Sequence, residues 1–141
     1  MYPKVGIGII VINEGKKILL GKRKNAHGDG SWGIPGGNLE FGETVRNCAS
    51  RELLEETGLI AEVVVEGPWK EIFFIQENKH YLNIFTIVPQ FSGTVQNKEL
   101  EKTENWEWFD AHILPSPLFE PIKKIVKDNS LIHFLERHLF E

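Results

Sequence analysis

Sulfur is almost missing from this chain: 141 residues hold one cysteine, Cys48, and one methionine. A lone cysteine excludes an internal disulfide and any metal centre built from thiolates. No apolar run approaches the roughly 20 residues that cross a bilayer, and no signal-peptide pattern opens the sequence, so no membrane partner is expected. A basic excess is lacking too, with 16 Lys and Arg against 20 Asp and Glu for a net charge of −4 and a pI of about 5.8. That balance argues against a nucleic-acid polymer, whose binding comes mainly from neutralised phosphates. A small phosphorylated ligand stays open. Repeats, low-complexity tracts and interdomain linkers do not occur. What the chain does have is 41% hydrophobic residues and 11% aromatics, enough for one core and too many for disorder. The expectation is a single cytoplasmic domain over residues 1–141.

The apolar, β-branched stretch from Val5 to Asn13 reads as a strand buried on both faces. A turn at Asn13-Glu14-Gly15-Lys16 should send Lys17 to Arg23 back as the second arm of a hairpin. Between Asn25 and Gly42 stand six glycines, so this segment is expected to be a long loop, with a short strand around Trp32–Ile34. Thr44 to Thr57 is the clearest helix, with Thr44 as N-cap and Gly58 just past its end. Strands are expected at Ala61–Glu66, Glu71–Gln76, Tyr81–Gln90 and Glu104–Phe109, and helices at Glu120–Lys127 and Ser130–Phe140. This order predicts an α/β fold with a mixed sheet and helices on both sides.

On a helical wheel, Glu52, Glu55 and Glu56 share an arc of about 100° in the last two turns of the clearest helix. Like charges at these spacings repel, and the helix dipole opposes anions at its C-terminal end. Something cationic is expected against this face. Oxygen-only ligands select a hard cation, Mg²⁺ or Mn²⁺. An EF-hand loop, a phosphate-binding P-loop and a dinucleotide fingerprint are each excluded by spacing.

Gly37, Glu43 and the run Arg51-Glu52-Leu53-Leu54-Glu55-Glu56-Thr57-Gly58-Leu59 fill every fixed position of G-x5-E-x7-R-E-U-x-E-E-x-G-U. This resembles a complete Nudix box, and the preceding Trp32-Gly33-Ile34-Pro35-Gly36-Gly37 resembles its approach in MutT-type members. The resemblance implies hydrolysis of a nucleoside diphosphate linked to another moiety, with a divalent metal, on an α/β/α sandwich with a mixed central sheet. It assigns metal-ligand roles to Glu52, Glu55, Glu56 and the Gly37 carbonyl, with Glu52 as the base that activates water. Arg51 and Glu43 would pair to orient helix and loop.

Beyond the box, roughly over residues 5–125, the chain is similar to the MutT-related nucleoside triphosphate pyrophosphatases. Leu20-Gly21-Lys22-Arg23-Lys24, Leu39-Glu40-Phe41-Gly42-Glu43-Thr44, His80-Tyr81, Ile84-Phe85 and Asn105-Trp106-Glu107-Trp108 carry this similarity. It implies Arg23 as a phosphate clamp, Phe119 stacking on the base, Ile34 and Asn83 flanking it, and Glu104 adding a carboxylate to the metal cluster, with Glu101 as competitor. The proline of ADP-ribose hydrolases is missing where Phe74 and Ile75 stand, and the tyrosine of dinucleoside polyphosphate hydrolases where Gln76 and Glu77 stand. The expectation is therefore a Mg²⁺-dependent enzyme that cleaves nucleoside triphosphates to monophosphate and pyrophosphate, as a homodimer. A nucleotide sugar or dinucleotide is the alternative substrate, and a non-catalytic nucleotide sensor the remaining alternative.

Overall fold

The computed structural model describes residues 2–25 and 27–139, the last two as backbone alone. Its elements are β1 (Lys4–Val11), β2 (Lys17–Arg23), β3 (Trp32–Gly33), β4 (Gly36–Asn38), α1 (Val45–Thr57), β5 (Ile60–Phe74), β6 (Lys79–Ser92), β7 (Thr103–Asp110), α2 (Glu120–Lys127) and α3 (Ser130–Leu139). Phe140, expected to close the last helix, lies outside the described residues. Among the described residues no helix is long and apolar enough to cross a membrane.

The strands divide between a mixed sheet ordered β4-β1-β6-β5 and a second sheet ordered β3-β2-β7. In the mixed sheet β1 runs parallel to β6 and antiparallel to β4. Side chains alternate between two cores. Ile7, Ile9 and Val11 of β1, Leu19 of β2 and Val88 of β6 pack with Cys48, Ala49 and Leu53 of α1. Ile10, Ile12, Ile18, Leu20, Phe85 and Ile87 pack with Ile122 and Ile125 of α2 and with Leu131, Phe134 and Leu135 of α3. The strands are thus buried on both faces, helix above and helix below, as their near-continuous apolar runs require. Truncating Leu53, which is fully buried, to alanine would cost about 2–5 kcal/mol.

Three expectations need correction. Although the turn forms, β1 and β2 are not a laddered hairpin. One bridge, Ile12 to Ile18, joins them before β1 takes β4 and β6 as neighbours and β2 takes β3 and β7. The two strands expected at Ala61–Glu66 and Glu71–Gln76 are a single β5, whose register slips between Glu66 and Trp69 around Gly67-Pro68. Proline has no N–H to give the ladder, so the slip marks that break without ending the strand. Finally, the glycine-rich loop contains β4, whose Gly37 stands opposite Ile7 and whose Gly36 stands opposite Gly8. This pairing fixes the loop that leads into α1.

The caps of α1 are local and form as expected. Thr44 accepts a hydrogen bond from the Asn47 N–H at 3.1 Å, and Gly58 ends the helix in the left-handed region at φ 77°. An alanine there would be strained by about 1 kcal/mol or more.

Candidate active site

The last two turns of α1 bring Glu52 and Glu56 against β4, while Glu55 is exposed beside Arg51. Glu52 lies against the backbone of Gly37 so closely that any side chain on Gly37 would collide with its carboxylate. The Gly36 N–H donates to Glu56 Oε2 at 2.9 Å, and Gly36 itself has no room for a Cβ beside the Ile7 carbonyl. Two adjacent glycines therefore let backbone and carboxylates approach. Burial raises the pKa of Glu52 above the ordinary value, more than the neighbouring Arg51 lowers it. Burial pushes Glu56 up to about 8, with the charges of Glu52 and Glu99 adding and the Gly36 N–H opposing.

Arg51 organises the outer side of this face. Its Nε and Nη2 hold the two oxygens of Glu43 at 2.6 and 3.0 Å, the fork geometry that suits a carboxylate. Its Nη1 donates to Glu52 at 2.9 Å and to Glu55 at 3.3 Å, and Nη2 reaches the Asn38 carbonyl at 3.3 Å. The hydrogen bonds from Arg51 hold the Glu43 carboxyl down at about 2, and the same partners raise Arg51 further. Cys48 lies beneath this pair, its thiol pushed up to about 12 chiefly by burial, an inert packed sulfur.

Do these residues fit a cation? Among the described residues no three His, Cys, Asp or Glu side chains close on one point as metal ligands do; Arg51 bridges Glu52 and Glu55 instead. The donor chemistry fits nonetheless. Glu52 and Glu56 are desolvated carboxylates, Glu52 raised further by the charges of Glu55 and Glu99 and Glu56 by those of Glu52 and Glu99, and a hard divalent cation relieves both the burial and the repulsion.

Sequence reasoning placed the additional carboxylate at Glu104 or Glu101. The structure pairs Glu104 with Lys22 at 3.8 Å, both side chains well exposed. Glu99 is the acid whose charge acts on both Glu52 and Glu56. Its segment is fastened to the end of α1 by the Gln96 N–H on the Thr57 carbonyl at 2.8 Å and the Lys98 N–H on the Glu56 carbonyl at 3.2 Å. Nothing in the local spacing announces those backbone bonds.

The four residues expected to meet substrate come from separate places: Arg23 from the end of β2, Ile34 from the link between β3 and β4, Asn83 from β6 and Phe119 from the residue before α2. Phe119 precedes α2 and is held by its N–H on the Trp32 carbonyl at 2.8 Å. Its ring packs over Gly28 and Gly33, stacks on Phe74 at 5.7 Å, and carries the Arg23 guanidinium 3.8 Å above it. Arg23 also donates from Nε to the His27 carbonyl at 2.9 Å, and its own charge acts on Glu56. One side chain thus joins the ring cluster to the carboxylates. Ile34 and Asn83 both close over Gly8. His27 and Phe74, not anticipated as site residues, complete the wall: His27 meets both Phe74 and Phe119 edge-on. Burial lowers the His27 pKa, which keeps the ring neutral at pH 7.

The NUDIX domain family model matches residues 2–129. This chain belongs to that family. The Nudix hydrolase is 35% identical over 133 residues to the ADP-ribose pyrophosphatase of Methanocaldococcus jannaschii, covering 91% of this chain and 73% of the relative. It is 33% identical over 116 residues to the oxidized purine nucleoside triphosphate hydrolase of Danio rerio, covering 82% of this chain and 72% of that one. Among solved structures, the MutT NUDIX hydrolase from Burkholderia pseudomallei matches with a TM-score of 0.84 at 30% identity, over 90% of this chain and 98% of that one. The expected α/β Nudix fold is thereby established, and so is hydrolysis of a nucleotide pyrophosphate as the class of reaction. Nudix hydrolases generally work with divalent cations.

Proposed function

We propose that this Nudix hydrolase cleaves nucleoside or deoxynucleoside triphosphates to the monophosphate and pyrophosphate, with Mg²⁺ and, in its place, Mn²⁺. The observation that carries the reading is Arg23, which acts on Glu56 while lying on the Phe119 ring. Phosphates held by Arg23 would thus face the carboxylates while the base meets the rings. Glu52, Glu55, Glu56 and the Gly37 carbonyl are the proposed metal ligands, and we place Glu99 beside them in the role first given to Glu104. A divalent cation bound there supplies charge neutralisation for the phosphates and a more acidic water.

The protein's own part is positioning and proton handling. Glu52 accepts the proton of the attacking water, a task its raised pKa suits. Water adds at phosphorus, the bridge between the α and β phosphates breaks, and pyrophosphate leaves. Arg51, locked on Glu43, holds Glu52 and the Asn38 backbone in register. Phe119, Ile34 and Asn83 receive the base.

ADP-ribose or another nucleotide sugar is the second reading, favoured by the M. jannaschii relative. A non-catalytic sensor is disfavoured because every box glutamate is present. The deciding experiment is turnover of a panel of triphosphates and ADP-ribose in Mg²⁺ and in chelator, with products identified. Pyrophosphate as first product and no turnover in chelator are expected, with rates rising on the alkaline side. Orthophosphate with nucleoside diphosphate would overturn the bond assignment, and full turnover in chelator the metal assignment. The same reading takes the protein as cytoplasmic and homodimeric, with α3 as the additional amphipathic element. A monomeric mass by light scattering at micromolar concentration would overturn the dimer.

A further inference from the structure

Glu99 stands on no helix or strand. It belongs to the loop between Ser92, where β6 ends, and Thr103, where β7 begins, so its carboxylate is placed only as well as that loop is held. One side of the loop is tied to α1 by the N–H groups of Gln96 and Lys98. On the other side the Glu99 carbonyl accepts the N–H groups of Lys102 and Thr103, both at 3.0 Å, and the Lys102 carbonyl accepts from the Lys24 N–H at 3.0 Å. Glu99 thus opens a tight turn that leads into β7.

Between the two residues that hold α1 sits Asn97, and its carboxamide joins the two sides of the loop. Its Oδ1 accepts the Glu99 N–H at 3.3 Å. Its Nδ2 donates to the Thr103 carbonyl at 2.7 Å and to the Glu104 carbonyl at 3.3 Å. The first bond is an ordinary local asparagine turn. The second crosses six residues and fastens the loop to a strand that β2 already pairs at Arg23 and Thr103. A carboxamide supplies acceptor and donor in one plane; aspartate keeps the acceptor and loses the donor, and alanine loses both. The carboxylate so placed has competing partners. Lys102 Nζ lies 3.4 Å from Glu99 Oε2, while the charge of Glu99 acts on Glu52 and Glu56.

We infer that Asn97 is a positioning residue for the cation: by holding the turn that starts at Glu99 it keeps this carboxylate at the α1 face, and so sets the affinity for a divalent ion without meeting ion or nucleotide. The inference rests on the role proposed above for Glu99. A group that fixes a metal-binding side chain from behind typically carries about tenfold or more in metal affinity.

The test is a Mn²⁺ titration of the nucleotide-free protein by calorimetry, run on wild type, Asn97→Ala, Glu99→Gln and the double variant, with melting curves in chelator. Asn97→Ala should weaken Mn²⁺ binding by about tenfold while its Tm in chelator stays within a few degrees of wild type. If the alanine variant does not fold, Asn97→Ser, which keeps an oxygen for the Glu99 N–H, goes through the same cycle. Because Asn97 acts through Glu99, the double variant should bind Mn²⁺ no more weakly than Glu99→Gln alone. Losses that add, or wild-type affinity in the Asn97 variant, would overturn the inference while leaving the role of Glu99 intact. Unchanged binding in Glu99→Gln beside a loss in Glu56→Gln would overturn the role of Glu99, and this inference with it, but keep the metal site. Mn²⁺ that fails to bind the wild-type protein, or that binds every variant alike, would overturn the reading of the α1 face as a metal site altogether.

Discussion

The carboxylate face of α1 and the ring cluster beside Asn83 are built on opposite terms. The first is local in sequence, running from Gly37 to Glu56, and crowded with like charge: burial raises both Glu52 and Glu56, with Glu55 and Glu99 adding at Glu52 and Glu52 and Glu99 adding at Glu56. The second gathers Arg23, His27, Ile34, Phe74, Asn83 and Phe119 from separate elements and, apart from Arg23, is neutral. On the proposed function, the contrast divides the labour: chemistry that serves any pyrophosphate would lie on one helix, and the identity of the substrate would depend on long-range packing. It follows that changes on α1 should strike kcat, and changes in the ring cluster should strike KM and selectivity.

The largest effect should come from Glu56→Gln. In Mg²⁺ the variant should lose at least about a hundredfold in kcat, as expected when a charged ligand is replaced by a neutral one. In chelator it should gain stability. The carboxyl is raised to about 8 in the folded protein against an ordinary value of 4.5. The folded state therefore holds a proton that the unfolded chain loses first, and wild-type stability falls as pH rises between those values, levelling above the higher one. Glutamine keeps an oxygen for the Gly36 N–H and removes the charge. At pH 8 it should be more stable by about 1–2 kcal/mol, read as a few degrees in Tm. A variant that melts lower in chelator and keeps near-normal turnover would break the comparison at its root.

Arg51→Lys comes next, because an ammonium cannot reproduce the two-pronged hold on Glu43. A loss of about tenfold or more in kcat, with KM little changed, is the expected split for a positioning residue. Stability carries a second signature. The Glu43 carboxyl is lowered to about 2, so its contribution is present above the ordinary carboxylate range and is lost as pH falls through that range toward 2. Melting curves between pH 7 and pH 3 should show a steeper acid loss in wild type than in Glu43→Gln. Parallel curves would deny the clamp its role in stability.

Phe119→Ala tests the other region. Removing the ring that stacks on Phe74 and lies under Arg23 should raise KM about tenfold, since base stacking is worth about 1–3 kcal/mol. The kcat should fall less than in Arg51→Lys. Should kcat collapse instead while KM stays, the two regions would not divide as argued.

How much of this was legible in the sequence follows the same split. The helix from Thr44 to Gly58 and its crowded acids follow from spacing within a short span, and the Arg51–Glu43 pair that the family resemblance implied forms in the same span. Chain pairing was harder to read. The Asn13–Lys16 turn pointed to a hairpin, but both faces of β1 needed cover, and β4 and β6 provide its long ladders where β2 adds one bridge. Glycines at 36 and 37 suggested loop, whereas the glycines form a strand that lets α1 come close. Asn83 was named as flanking the base from family resemblance, and its Nδ2, buried with no hydrogen-bond partner among the described residues, only became visible once Gly6 and Gly8 lay beneath it.

The smallest effect separates Glu104, the acid that the family resemblance implied, from Glu99, which the sequence did not single out. Glu104 is a half-exposed carboxylate 3.8 Å from an exposed Lys22, and a pair of that kind is worth roughly 0–1 kcal/mol. Salt screens it further. Glu99 is the less exposed acid, beside Lys102 at 3.4 Å, and its charge reaches both Glu52 and Glu56. Glu104→Gln should therefore leave kcat, KM and the Mg²⁺ dependence within about twofold of wild type, with Tm shifted by no more than a degree or two. Glu99→Gln, assayed beside it, should raise the Mg²⁺ concentration needed for half-maximal rate and lower kcat. Matching shifts in the Glu104 variant would return the extra carboxylate to β7 and extend the charged region beyond the segment that the α1 carbonyls hold.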